Sequence, residues 1–320
     1  MQRKPYTLSL LLVLVLTACD AQSQQPPPIR VNVSRVNVGV TVTDAAGHFV
    51  EGLRREDFQV FDNDVEQPIT DFLSLEEPAQ LLLLIESGPA VIFLGKNHLL
   101  AADTLLTTIA PTDYVAIASY SKAPRLLLDF TANKAAARAA LDNINFANDF
   151  ADLNLSASLG MAIDWLARRP GKKTIVLLTT GVDTSPLDDP QAIQRKLLIS
   201  DVRILAVSLT GDFRRPAPAK RKKSSSQARA NRAAVQEGFA EADRSLRELS
   251  ALTGGRVYFP SDADEFARAY TEIAQLIRHE YSLAFAPPAA DGQLHSLKVT
   301  VKDPTYHVDH RQAYLAPPPA

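Results

Sequence analysis

The stretch Leu81-Leu82-Leu83-Leu84-Ile85-Glu86-Ser87-Gly88-Pro89-Ala90 decides the fold of this chain. Its consecutive apolar residues, followed by small residues, predict a buried strand that ends in a turn. A segment with a helical pattern, 91–109, follows the turn. In α/β sheets, ligands bind in the crevice beyond the carboxyl ends of the strands. The sequence therefore places a candidate site directly after residue 85.

The composition is that of an ordinary globular protein. The chain has 320 residues, of which 46% are apolar and 22% charged, and its formal net charge is −2. This length predicts one to two domains, and the apolar fraction suffices for a sizeable core. Because the net charge is close to zero, no global field favours nucleic acid, and we expect no nucleic-acid partner. The single cysteine excludes a disulfide framework and a thiolate metal site.

The N-terminus has the pattern of a targeting segment. Arg3 and Lys4 precede an apolar run, 8–16, that is too short to span a bilayer as a mature helix. The run ends in Leu16-Thr17-Ala18-Cys19, which resembles a bacterial lipoprotein signal. That resemblance implies that residues 1–19 are a signal peptide and that Cys19 carries a lipid.

We therefore expect an exported protein that is anchored to the membrane of the bacterial cell envelope through Cys19. Residues 20–28 (DAQSQQPPP) are polar and proline-rich and predict a flexible tether. Cleavage as an ordinary secretory signal, near Ala18 or Ala21, is the alternative. The choice between inner and outer membrane stays open.

Three segments make up the rest of the chain. Residues 29–76 alternate apolar and polar side chains, which predicts an N-terminal β segment, and residues 280–316 return to strand patterns. Residues 79–279 alternate apolar strands with amphipathic helices, which predicts a mainly parallel sheet covered by helices on both faces. Neither terminal segment holds enough strands to be stable alone. We therefore predict an α/β fold, a doubly wound and mainly parallel sheet, flanked by a small β-sandwich formed from the N- and C-terminal strands.

The element boundaries inside residues 79–279 follow from the same patterns. The predicted strands are 81–85, 114–120, 125–130, 174–179 and 203–209. The predicted helices are 91–109, 134–145, 153–168, 190–200, 237–252 and 262–279.

A series of short motifs occurs in a fixed order along the chain. They are the run at 81–90 and the segments 111–116, 172–181, 202–207 and 249–258. In this order they resemble a von Willebrand factor A domain. Together with the flanking segments they make the chain similar to the bacterial VWFA-related proteins that are abundant in acidobacteria. The resemblance implies a Rossmann-like fold and three loops that would hold a metal ion at a metal-ion-dependent adhesion site.

The same resemblance implies that this metal site is degenerate. The family motif is Asp-x-Ser-x-Ser, and depending on the register the first loop keeps only Ser87 or only Glu86. In the second loop Ala151 stands at the liganding threonine, and in the third Thr180 replaces the liganding aspartate. Hard cations need oxygen ligands, carboxylates above all. We therefore expect no bound metal and no cofactor, magnesium and other divalent cations included.

What remains is a surface at the strand ends that we expect to bind an unknown protein partner. Its candidate residues are Glu86, Ser87, Asp152, Asn154, Thr180 and Asp183. We expect a non-enzymatic interaction or scaffold protein, because no acid, base and nucleophile converge and no Gly-x-Ser-x-Gly elbow occurs. Two alternatives stay open: a metal-dependent adhesion module with a non-standard site centred on Glu86, and an envelope hydrolase. The plain interpretation of the loop carboxylates is that they are solvated.

Residues 211–235 differ in composition from the rest. No acidic residue lies between positions 213 and 233, and prolines and serines are frequent, which predicts a disordered insertion. Basic clusters attract anionic lipids or acidic partners, although a merely solvated loop is the simpler alternative. The basic residues in question are Arg214, Arg215, Lys220, Arg221, Lys222 and Lys223.

Other ionisable residues give weaker patterns. Asp62 and Asp64 lack the glycine and distal glutamate of an EF-hand, so we interpret them as a solvated hairpin tip. His295, His307 and His310 lack the converging ligands that zinc requires, so we expect exposed strand histidines.

Overall fold

The structure is a computed structural model, and it describes residues 35–88, 91, 97–146, 152–185, 191–211 and 226–319. Three predictions fall outside these residues: the signal peptide with its lipidation site Cys19, the tether, and the basic side chains within 214–223. Within the described ranges, no helix combines the length and the apolar character needed to cross a bilayer.

The described strands form three sheets. In chain order they are β1 (Val36–Thr43), β2 (Phe58–Asp62), β3 (Val65–Gln67), β4 (Ile69–Leu73), β5 (Ala79–Glu86), β6 (Tyr114–Tyr120), β7 (Pro124–Thr131), β8 (Lys172–Thr179), β9 (Val202–Ser208), β10 (Arg256–Tyr258), β11 (Glu280–Phe285), β12 (Leu294–Val301), β13 (His307–Asp309) and β14 (Ala313–Leu315). A six-stranded sheet has the order β10-β9-β8-β5-β6-β7. Two four-stranded sheets have the orders β13-β1-β11-β4 and β14-β12-β2-β3.

Strand β5 lies at the centre of the six-stranded sheet. It pairs in parallel with β6 on one side and with β8 on the other. Only the edge strand β7 is antiparallel to its neighbour. The apolar side chains of β5 alternate between two hydrophobic clusters, with Leu81, Leu83 and Ile85 in one and Leu82 and Leu84 in the other. A strand buried on both faces needs a continuous apolar run, which explains the sequence of β5.

Helices cover both faces of this sheet. They are α1 (Asn97–Thr108), α2 (Lys134–Asp142), α3 (Leu155–Ala167), α4 (Ala192–Ile199), α5 (Ser226–Leu252) and α6 (Ala263–Arg278). Side chains of α1, α2 and α6 join one hydrophobic cluster, and side chains of α3, α4 and α5 join the other. The predicted α/β fold with a doubly wound, mainly parallel sheet is thus confirmed.

The two four-stranded sheets form the predicted β-sandwich from both ends of the chain. N-terminal β1 pairs antiparallel with C-terminal β11, and N-terminal β2 pairs antiparallel with C-terminal β12. Alternating residues of both sheets share one core, in which Val38, Val60 and Leu283 have no exposed surface. Neither end has this core without the other, because each sheet needs strands from both.

A buried ion pair joins the sandwich to the six-stranded sheet. The Arg203 guanidinium on β9 donates to the Glu280 carboxylate on β11 at 2.9 Å and to the Thr41 hydroxyl on β1 at 3.0 Å. Both charged side chains are 5% exposed. Breaking a buried pair leaves an uncompensated charge in the interior, so this contact fixes the position of the sandwich strands against β9.

Helix α5 begins earlier than predicted. We predicted its first residue at position 237 and assigned 211–235 to a disordered insertion, but the helix begins at Ser226. Residues 226–235 are therefore helical, and this part of the prediction is wrong. The segment contains four alanines and no glycine or proline, and alanine has the highest helix propensity.

Candidate functional site

The candidate site lies where β5 and β8 end side by side. Glu86 is the last residue of β5, and Thr179 is the last residue of β8, with Thr180 directly after it. Parallel strands end at the same edge of a sheet, so the register of β5 against β8 brings these three side chains together. Glu86 has no exposed surface, and Thr180 is 1% exposed.

The Glu86 carboxylate accepts hydrogen bonds from neighbouring protein groups, mainly at Oε2. Its Oε2 accepts from the Thr180 backbone N–H at 2.7 Å, the Thr180 hydroxyl at 2.8 Å and the Thr179 hydroxyl at 2.9 Å. The Tyr120 hydroxyl lies 2.6 Å from Thr179 Oγ1 and 3.4 Å from Glu86 Oε2. Tyr120 has one proton and gives it to the nearer oxygen, which leaves the Thr179 proton for Glu86.

Burial sets the electrostatics of this network. Desolvation raises the pKa of Glu86, and the hydrogen bonds from Thr180 and Thr179 oppose that rise. Burial also raises the pKa of Tyr120 well above its usual value, and the neighbouring Glu86 charge adds to the shift. Glu86 is therefore not the solvated loop carboxylate of the plain interpretation but an interior group.

The first loop is also packed shut. Ser87 is 6% exposed, and its hydroxyl donates to the Tyr120 carbonyl at 3.0 Å. Gly88 occupies the position of the first motif serine when Glu86 is aligned with the aspartate. A Cβ on Gly88 would lie 2.7 Å from Leu153 Cδ2. The side chain of Leu153 thus fills the space that a serine at this position needs.

The second and third loops are tied to each other. The Leu153 backbone N–H donates to the Thr184 hydroxyl at 2.7 Å, and the Thr184 N–H donates to the Leu153 carbonyl at 2.8 Å. Asn154 caps α3 by accepting from the Ala157 N–H at 2.9 Å. Asp183 accepts from the Ser156 N–H at 2.9 Å, so its charge lies at the positive end of the same helix. Both residues therefore stabilise the start of α3.

The structure separates the predicted site residues into two groups. Glu86, Ser87 and Thr180 lie together in the interior, whereas Asp152 and Asp183 are exposed. A divalent cation needs several oxygen ligands turned toward it, but Glu86 Oε2 already accepts three protein donors, and Oε1 lies 3.1 Å from the Thr180 hydroxyl. In the described part of the chain, no group of three or more His, Cys, Asp or Glu residues is arranged to hold a metal ion. The described residues do not fit a conventional divalent cation site.

Sequence reasoning missed three residues of this region. Tyr120 and Thr179 complete the network around Glu86, and Leu153 closes the first loop. The signal for the first two was available, because both end strands that neighbour β5. Nothing in the sequence of the second loop indicates that Leu153 reaches Gly88.

A second buried polar cluster lies in the sandwich. The Asp62 carboxylate contacts His295 Nδ1 at 2.7 Å and accepts from the Tyr314 hydroxyl at 2.9 Å. His295 Nε2 lies 3.2 Å from the Asp291 carboxylate. Asp62 and His295 are buried, so the expectation of a solvated hairpin tip and an exposed histidine is wrong for both. Strand β2 pairs with β12, and β12 with β14, which places these side chains together inside the sandwich.

The other two histidines differ from each other. His307 is exposed, as expected. His310 is buried, contrary to expectation: its Nε2 accepts from the Val299 N–H at 3.1 Å and its Nδ1 lies 2.6 Å from the Arg311 carbonyl. Burial lowers the pKa of His310, because a charged imidazole loses its hydration there.

Comparisons with known proteins identify one region of similarity by sequence. A family model described as the von Willebrand factor type A domain matches residues 96–182. A comparison with curated proteins found no match. The matching region contains strands β6 to β8, the second loop and the first residues of the third loop.

Solved structures resemble the chain at low sequence identity. A von Willebrand factor type A protein from Catenulispora acidiphila has a TM-score of 0.46 and 11% identity, covering 90% of this chain and 75% of that one. BatB from Bacteroides thetaiotaomicron has a TM-score of 0.42 and 10% identity, covering 62% and 97%. An aerotolerance-related membrane protein from Bacteroides fragilis has a TM-score of 0.41 and 16% identity, covering 62% and 98%. Residues 96–182 are thus similar in sequence to the von Willebrand factor type A domain.

Proposed function

We propose that this chain is a non-enzymatic lipoprotein of the bacterial cell envelope that binds a partner protein through its strand-end surface without a metal bridge. The strand-end surface is formed by the loops 152–154 and 182–185. The observation that carries the proposal is the closed network around Glu86. Thr180 and Thr179 donate hydrogen bonds to this carboxylate, so it has hydrogen-bond partners in the absence of a cation.

The burial of Glu86 also argues against catalysis. An acid or base must reach a proton of the substrate, directly or through one water. Glu86 has no exposed surface, and Thr179 and Thr180 are 0% and 1% exposed. At the described strand ends, the Glu86 carboxylate and the Thr179 and Thr180 hydroxyls are therefore enclosed, whereas the exposed residues Asp152 and Asp183 lie on loops that the hydrogen bonds between Leu153 and Thr184 hold together.

Rigid loops suit recognition of a protein. The reciprocal hydrogen bonds between Leu153 and Thr184 and the two caps on α3 hold the surface in one arrangement before a partner arrives. Preorganisation lowers the entropy that binding would otherwise cost. The lipoprotein-like signal ending at Cys19 and the tether at 20–28 would present this surface at a membrane.

Crosslinking from the surface tests the proposal. A photoreactive residue is placed at Asp152, which is exposed, and a matched one at Glu56, which is exposed on the sandwich. Irradiation of the native envelope is expected to give one defined adduct from position 152 and none from 56, with equal yield with and without EDTA. Thr184→Ala, which loosens the loop, is expected to lower that yield. An adduct that EDTA abolishes and magnesium restores would contradict the proposal and favour metal-dependent adhesion.

A further inference from the structure

Beside the strand-end surface, a groove of about 520 Å³ runs between α3, α4 and α5. We call it the α5 groove. Apolar side chains form its floor, among them Leu155 and Ile193, which are 3% and 7% exposed. Val235 lies at the groove on α5 and is 57% exposed. Val235 thus offers an apolar contact beside the strand-end surface.

The rim of the α5 groove carries charge of one sign. Asp183, Glu241 and Glu248 line it and are exposed. None of the described residues that line it is a lysine or arginine. Carboxylates grouped in this way repel phosphate and anionic lipid and attract lysine and arginine side chains.

The loop that follows the Glu86 network packs against the helix that forms one wall of the groove. Gly181 follows Thr180 directly and has a φ of +74°, in the left-handed region that favours glycine. A Cβ on Gly181 would lie 2.8 Å from Leu246 Cδ1 and 3.1 Å from the Ala242 carbonyl, both on α5. The third loop therefore packs directly against the wall of the groove. The strand-end surface and the α5 groove are therefore adjacent, so one partner can contact both.

The amino-terminal half of α5 supplies further surface. Every side chain that the structure describes from Ser226 to Gly238 is exposed. Helices in proteins gain most of their stability from packing, so a partner segment that packs along this half would stabilise it.

We infer that the α5 groove binds a basic, amphipathic segment of the partner protein, with apolar side chains on the floor and lysines or arginines at the three carboxylates. The inference rests on the proposed function and names the chemistry of its partner. Because the attraction is between exposed charges, it is weakened by salt.

A model peptide tests the groove on the full chain. The probe is a short fluorescent peptide of leucine and lysine arranged as an amphipathic helix, and its matched control carries glutamate in place of lysine. We expect the lysine peptide to bind, as measured by fluorescence anisotropy, and the double variant Glu241→Lys, Glu248→Lys to bind it at least about tenfold more weakly. Glu56→Lys, on the sandwich, is expected to leave binding unchanged. Equal binding to the double variant, or equal binding of the glutamate peptide, would overturn the inference.

Two further experiments test whether the α5 groove binds the chain's own basic segment or a segment of a partner. Replacing residues 213–224 by a glycine–serine stretch of equal length removes the basic segment of this chain. If the lysine peptide binds only after that replacement, the groove belongs to the chain's own segment and the inference is wrong. If the position-152 adduct persists in the double variant at full yield, the groove inference fails while the proposed function stands. Absence of that adduct from the wild-type protein removes the proposed function itself.

Discussion

Replacing Glu86 by alanine should destabilise the protein strongly, although its hydrogen-bond partners Thr179 and Thr180 carry no charge. The substitution removes the acceptor for the Thr180 N–H, the Thr180 hydroxyl and the Thr179 hydroxyl. The Tyr120 and Thr179 hydroxyls lie 2.6 Å apart and share one hydrogen bond, so one of their two protons also loses its acceptor. Together with the two Thr180 donors, three buried donors are left without a partner, and at about 1–3 kcal/mol for each the loss is about 3–9 kcal/mol.

Glutamine at position 86 is the matched control. Its carbonyl oxygen can accept from the Thr180 N–H, and its amide group can donate to the Thr180 hydroxyl, so we expect a loss of only about 1 kcal/mol. An exposed substitution, Glu241→Ala, is expected to stay within about 0.5 kcal/mol of wild type. Urea denaturation followed by circular dichroism gives the free energies of unfolding. If Glu86→Ala is as stable as Glu86→Gln, the carboxylate is not the acceptor that holds this network.

The pH dependence of the same pair checks the electrostatics. The pKa of Glu86 is raised in the folded protein above its ordinary value of 4.5, so the folded state binds the proton more tightly than the unfolded state. The stability from this group is therefore fully present below pH 4.5 and is lost as the pH rises through the folded pKa. Glutamine does not titrate. We expect wild type to lose stability relative to Glu86→Gln as the pH rises, and an unchanged difference would contradict the raised pKa.

Two further predictions concern other parts of the fold. Burial lowers the pKa of His295, but hydrogen bonds and charges from Asp62 and Asp291 raise it to a net value above 6.5, with the Tyr314 hydroxyl also facing the ring. The stability that His295 provides is present below pH 6.5 and is lost as the pH rises through the folded pKa. His295→Gln should therefore make the urea midpoint depend less on pH in that range. The same pH dependence in wild type and variant would refute this. Gly181→Ala should destabilise by about 1–3 kcal/mol, because its Cβ would lie 2.8 Å from a leucine of α5 at a φ of +74°. An unchanged thermal midpoint for Gly181→Ala would show that α5 can move away from the loop.

The sequence was sufficient for the architecture because its strongest patterns are local. The apolar run of β5 and the Ser261-Asp262 start of α6 each follow from neighbouring residues, and Asp262 does cap α6. The pairing of the two chain ends also followed, because neither end has enough strands to form a stable sheet alone. The predicted start of α5 is wrong because the alanines at 226–235 favour a helix more strongly than the neighbouring charges and serines oppose it.

The sequence predicts where the candidate site lies but not whether its side chains are buried or exposed. The motif identified Glu86, whereas its burial depends on the register between β5 and β8, which sequence does not give. The same holds for Asp62 and His295, which are separated by most of the chain and meet only in the sandwich. A carboxylate after a strand looks alike in sequence whether it faces water or the interior.

We propose that the strand-end surface binds its partner without a metal ion because the Glu86 carboxylate already accepts hydrogen bonds from Thr179 and Thr180. Isothermal titration of the protein with magnesium, manganese and calcium tests this most directly, with Glu86→Gln as the matched variant. We predict no binding heat above dilution for wild type and the variant alike. Micromolar binding of any of these cations to wild type, abolished by Glu86→Gln, would contradict the claim.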